Sequence, residues 1–134
     1  LGIRIDDKMK GDITESHTLW DREKRNASES CPVLAGGLLF QITRGGIVTC
    51  MNPETGADVW EDRIAGQHLP SPIAAGDRLY FCNDRGDVNV VKVADKFEIL
   101  ATNKLPDAMT ASPAVADGAI FIRTKKQLFK IAVK

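Results

Sequence analysis

The residues able to do chemistry are few and scattered. Two histidines, His17 and His68, are too far apart in sequence for metal-ligand spacing. Ser16, His17 and Asp21 are the residue types of acyl transfer, but they are neighbours in sequence only, and no oxyanion-hole pattern accompanies them. The run Asn83-Asp84-Arg85-Gly86-Asp87 gathers oxygen donors of the kind calcium takes. A similar turn recurs as Arg44-Gly45-Gly46, which reads as a plain connection between strands. The same run contains Arg85-Gly86-Asp87, the tripeptide of adhesion ligands, a match short enough for chance to supply. Three cysteines, Cys31, Cys50 and Cys82, form no C-x-x-C pair and leave an odd count, so they read as buried or half-buried thiols. No catalytic set and no metal site follow from these residues. That points to a binding module rather than an enzyme.

Composition narrows the partners. The 134 residues are 43% apolar and 27% charged, the balance of a globular chain. Eighteen basic residues match eighteen acidic ones, so the basic excess that would neutralise nucleic-acid phosphates is missing. No apolar run approaches the roughly 20 residues that span a bilayer. The chain begins without Met, which suggests a processed chain or a piece of a longer one. Asn26-Ala27-Ser28 is a formal glycosylation acceptor and reads as a polar surface loop. The basic pairs Lys24-Arg25 and Lys125-Lys126 read as solvated edges that discourage strand-to-strand aggregation.

The elements that position these residues follow from an internal repeat. Cys31-Pro32-Val33-Leu34-Ala35-Gly36, Ser71-Pro72-Ile73-Ala74-Ala75-Gly76 and Ser112-Pro113-Ala114-Val115-Ala116-Asp117 recur at a period of about 40. Each is followed by an apolar run, Leu38-Leu39-Phe40, Leu79-Tyr80-Phe81 or Ile120-Phe121-Ile122, then a turn, then a second β-rich run. Trp20, Trp60 and Leu100 keep the same period, with Leu100 expected in the tryptophan position. In the middle unit, strands are expected over 71–75, 78–83, 87–93 and 97–105, with no helical periodicity. Four short strands per unit of about 40 residues define an all-β fold of β-propeller blades, each a four-stranded antiparallel sheet. The expected divisions are the end of one blade at 1–25, blades at 31–65 and 71–105, and a partial blade at 112–134. That is an incomplete propeller, and pairing of two copies into a homodimer would cover its open faces.

Within this repeat, Cys50-Met51-Asn52-Pro53-Glu54-Thr55-Gly56-Ala57-Asp58-Val59-Trp60 resembles the repeat of pyrroloquinoline quinone (PQQ)-like propeller proteins, Ala-x-Asp-x-x-Thr-Gly-x-x-x-Trp. Thr55, Gly56 and Trp60 match, with Asn52 for the Asp and Cys50 for the Ala. Trp20 aligns with Trp60, without a preceding Thr-Gly. The resemblance implies that Asn52, Thr55, Gly56, Trp60 and Trp20 are structural, turning the chain and docking blade on blade. It also implies export to the periplasm or cell surface of a bacterium, and a protein or ligand partner, as in the outer-membrane assembly lipoproteins with such blades. No cofactor is expected on that reading. The alternative is the C-terminal part of a quinoprotein dehydrogenase, which would hold PQQ with calcium, although the adjacent cysteines many of those enzymes carry are missing. A third reading is a sensor propeller attached to a signalling enzyme. His68 lies in Gly66-Gln67-His68-Leu69-Pro70, a loop entering a first strand. It is expected to be solvated, and the one ligand-contact role it suggests is at the mouth of the central channel.

Overall fold

The computed structural model describes residues 1–23 and 29–132. Asn26-Ala27-Ser28 and Lys24-Arg25 fall outside the described residues. The described residues form a row of four antiparallel sheets, the arrangement of β-propeller blades. β1 (Gly2–Ile3) pairs with β2 (Thr18–Trp20), and between them lies a one-turn helix, α1 (Thr14–His17). The strand-only reading missed this turn, because four residues carry no detectable helical period.

The first complete blade is β3 (Val33–Ala35), β4 (Leu38–Ile42), β5 (Ile47–Met51) and β6 (Asp58–Arg63), hydrogen-bonded in that order. The second is β7 (Ile73–Ala75), β8 (Arg78–Cys82), β9 (Asp87–Lys92) and β10 (Ile99–Lys104). The third sheet has three strands, β11 (Ala114–Ala116), β12 (Ala119–Arg123) and β13 (Leu128–Ala132). Glycines make the tight turns. Gly46 (φ 83°) and Gly86 (φ 86°) occupy equivalent turns, and a Cβ at either would collide with a backbone carbonyl, of Ile64 or of Leu105.

Strand alternation sends neighbouring residues to opposite faces of each blade. Phe40, Ile42, Val48 and Cys50 of the first blade pack on Leu79, Phe81 and Val91 of the second. Cys82 and Val88, on the far face of the second blade, pack on Met109 and Ile122, which belong to the third blade and the loop before it. The middle strands are therefore apolar on both faces, whereas the outer β10 is exposed along its whole length.

Leu100 does not take the tryptophan position. Bulges fall between β5 and β6 and between β9 and β10. Cys50 faces Trp60 and Val90 faces Ala101, so Leu100 lies in a bulge and is 42% exposed. The indole's register position in the second blade holds an alanine. Both blades bulge at the same place, at Val59 and at Leu100, and the turn before it is one residue longer in the second blade (Met51 pairs with Asp58, Val91 with Ile99), so a count of 40 falls one residue short.

Candidate binding rim and blade junctions

Asn52 starts the turn between β5 and β6. Its Oδ1 accepts hydrogen bonds from the backbone N–H of Glu54 (2.8 Å) and Thr55 (3.1 Å), and Thr55 Oγ1 accepts from Ala57 (3.3 Å). Gly56 follows at φ 69°, and the Trp20 ring lies against it, 2.6 Å from where a Cβ would be. Trp20 Nε1 donates to Pro53 O in the same turn (2.7 Å). Trp60 repeats the arrangement one blade on. Its Nε1 donates to Ala94 O (3.0 Å), and its ring packs between Phe40 and Phe97, with centroids 5.9 and 5.2 Å away. Each indole thus reaches from one sheet to the outer turn of the next, joining apolar contact to one satisfied N–H.

At the opposite end of the blades, the turn between the second and third strands leans on the loop entering its own blade and, from the first blade, on the loop entering the next. His68 N donates to Arg44 O (2.9 Å), Asp84 N to Gln67 O (2.9 Å) and Gln67 N to Asp84 Oδ1 (2.9 Å). Lys125 N bonds Ala108 O (3.1 Å) and repeats the contact for the third blade. These turns and loops form a charged rim. Arg44 contacts Glu29 (3.3 Å), Lys104 contacts Asp87 (2.7 Å), and Lys126 contacts Asp107 (3.8 Å). Arg85, in the turn between β8 and β9, is exposed.

His68 is not solvated: it is 1% exposed. Its ring nitrogens lie 3.0 Å from Cys82 O and 3.3 Å from Ala65 O. A neutral imidazole has one N–H for these two acceptors, and burial disfavours the imidazolium that would satisfy both. Desolvation accordingly lowers its pKa below 6.5, against the opposing pull of the Ala65 and Cys82 carbonyls and of Asp84 and Asp87. Met109, fully buried, fills the equivalent place one blade later. The ring of His68 is therefore buried, held between the carbonyls of Cys82 and Ala65.

The Asp84-Arg85-Gly86 turn is organised by Asn83, which is fully buried. Asn83 Oδ1 accepts from the N–H of Arg85 and Asp87, both at 2.9 Å, and Nδ2 donates to Ala65 O and Asp87 Oδ2, both at 3.0 Å. The other oxygen of Asp87 is taken by Lys104, and these two side chains, Lys104 first, hold the Asp87 pKa below 3.8. Thr43 and Thr124 stand at the same place in the neighbouring blades and accept the equivalent N–H groups of Ile47 and Gln127. Sequence reading passed over Thr43 and Thr124 and took Asn83 only as one oxygen donor of a turn, although the three keep the period of the prolines. A second overlooked series lies at the first strands. Ser71 Oγ accepts from Cys31 N (2.8 Å), and Ser112 Oγ accepts from Ser71 N (2.9 Å), a chain of bonds from blade to blade.

Ser16 Oγ is 2.6 Å from His17 Nδ1, and His17 Nε2 is 3.4 Å from Asp6 Oδ1, so Asp6 and not Asp21 stands beside the histidine. Ser16 and His17 are consecutive residues of a single helical turn, so no second element aims the hydroxyl, and the Asp6 contact is at the limit of a hydrogen bond. Cys50 and Cys82 are buried, and desolvation pushes their thiols up to about 11 and about 12, with Asp95 adding to the shift at Cys50. Cys31 is exposed.

The blades and their junctions define a PQQ-like β-propeller repeat protein. A family model described as outer membrane protein assembly factor BamB matches residues 11–96, and the chain belongs to that family. No curated protein matches the chain. Among solved structures it is similar to BamB from Moraxella catarrhalis at 14% identity and TM-score 0.64, covering 75% of this chain and 30% of that one. It is similar to the computationally designed protein Ika8 at 11% identity and TM-score 0.69, covering 86% and 36%. It is also similar to a europium-containing methanol dehydrogenase at 12% identity and TM-score 0.56, covering 68% and 19%. The chain spans about a third or less of each of these structures, and at such identities the likeness is one of fold.

Proposed function

We propose that the chain forms part of a non-catalytic PQQ-like propeller scaffold that holds a protein partner in the bacterial cell envelope. Membership of the family described as outer membrane protein assembly factor BamB carries this reading. The rim supports it chemically: Arg44, Gln67, Asp84 and Arg85 sit on turns tied down by backbone bonds, which preorganises polar contacts for a protein surface. Disrupting the gene of the full-length parent in its host is expected to lower the amount of folded β-barrel protein in the outer membrane. A parent carrying Arg44→Glu and Arg85→Glu, shown to be folded, is expected to fail to restore it. Unchanged outer-membrane protein levels after disruption would overturn the envelope-assembly role.

The competing reading is a portion of a quinoprotein dehydrogenase, favoured by the fold shared with a methanol dehydrogenase. The described side chains lend PQQ with calcium little support. No three His, Cys, Asp or Glu side chains among them converge, and both Asp87 oxygens are engaged by Asn83 and Lys104. Titrating PQQ and calcium into the full-length parent, followed by dye-linked alcohol oxidation, separates the two readings. Saturable binding with turnover would establish the dehydrogenase.

A further inference from the structure

The fourth strand of a blade runs along the outer perimeter of a propeller, so the blades on either side cover its faces and leave its outer edge open. That holds whatever the number of blades in the whole protein. In the first blade the outer edge belongs to β6 and in the second to β10, each the last strand of its sheet. The two edges are guarded differently. Four of the six residues of β6 are charged (Asp58, Glu61, Asp62 and Arg63), which is how a sheet edge refuses another strand. β10 runs Ile-Leu-Ala-Thr-Asn-Lys and carries a single charge, Lys104.

That charge is turned away from the edge. Lys104 Nζ reaches inward to Asp87 Oδ1 on β9 (2.7 Å) and to Arg85 O (2.6 Å). Thr102 Oγ1 likewise donates inward, to Asn89 Oδ1 on β9 (2.9 Å). The backbone beside them is left open. Leu105 N donates to Gly86 O (2.8 Å), so Leu105 and Asn103 turn their backbone groups toward β9, and Thr102 and Lys104 turn theirs outward. The bulge at Leu100 ends this alternation on the other side. The N–H and C=O groups of Thr102 and Lys104 therefore stand at strand spacing on the open edge. Another extended backbone supplies acceptors and donors at the same spacing, which sets the chemistry of the occupant. A charged side chain in it would meet no free counter-charge on β10, since Lys104 is already paired.

We propose that β10 accepts a short, extended, uncharged segment of a partner protein, which adds to the second blade as a fifth strand and pairs with Thr102 and Lys104. This edge is separate from the rim, so the inference stands or falls without the envelope-assembly role.

The probe is a fluorescein-labelled peptide of alternating threonine and valine, with a lysine at each end for solubility, titrated into the full-length parent. Saturable binding is expected by fluorescence anisotropy, with hydrogen exchange slowed at the amides of Thr102 and Lys104 and unchanged along β6. Methylating every backbone nitrogen of the peptide should abolish binding. Thr102→Pro removes an N–H that faces away from β9, and Thr102→Glu keeps the backbone and adds the missing guard. Each should weaken peptide binding at least about tenfold with the circular dichroism unchanged. No binding by the peptide would overturn the proposal, as would binding that survives both substitutions or full methylation. So would slow exchange at Thr102 and Lys104 in the free parent, which would mean that the edge is already covered. A parent dimer that Thr102→Pro dissolves would also overturn it, by giving the edge to a second copy.

Discussion

Gly56 is constrained twice, by its left-handed backbone and by the indole of Trp20 resting where a side chain would start. Gly56→Ala is therefore expected to cost at least about 2 kcal/mol, read from the urea midpoint. A Gly45→Ala control, in open space at negative φ, should cost far less. His68 makes stability depend on pH. Its folded pKa is depressed below 6.5, so the unfolded chain binds the proton more readily. Stability is then fully present above about 6.5 and falls as the pH drops below it toward the folded value. Asp6, Asp12 and Asp87, held below 3.8, add their own losses only in stronger acid. Urea midpoints measured between neutrality and about pH 5 should decline for the native chain. The decline should flatten for His68→Gln; equal slopes for the two proteins would refute the assignment.

At the scale of elements, the second-to-third-strand turns carry more of the architecture than their surface position suggests. Asn83 alone satisfies two backbone donors, and its amide reaches back to Ala65 in the preceding loop. Asn83→Ala leaves the N–H groups of Arg85 and Asp87 without this acceptor and should cost about 2–3 kcal/mol in chemical denaturation. Asn83→Thr installs the residue used at positions 43 and 124 and should cost less. The strands themselves were readable because their apolar runs and turn glycines recur at one period. The bulges were not, since an extra residue in an outer strand leaves the composition of the repeat untouched.

At the scale of the molecule, stability comes from stacking sheet on sheet, as the two core clusters each bridge a pair of blades. The cysteines report on that stacking. Cys50 and Cys82 lie in the two junctions with their thiols pushed up to about 11 and about 12, whereas Cys31 is exposed. A thiol reagent at neutral pH should modify Cys31 promptly and the other two only on unfolding. Fast modification of a second thiol would mean that a blade junction opens in the native state.

By itself the sequence determined the class of fold, the period, and the turn built by Asn52, Thr55 and Gly56, because these rest on local chemistry repeated along the chain. Tertiary structure decided what those residues touch. It turned His68 from a solvated loop residue into a buried one and displaced Leu100 into a bulge. It also put Asp6 beside His17 and drew Lys104 across to Asp87. Each of these depends on which strand lies opposite and which blade packs behind. Pairing register and blade stacking bring together residues tens of positions apart, and no one-dimensional spacing fixes that meeting.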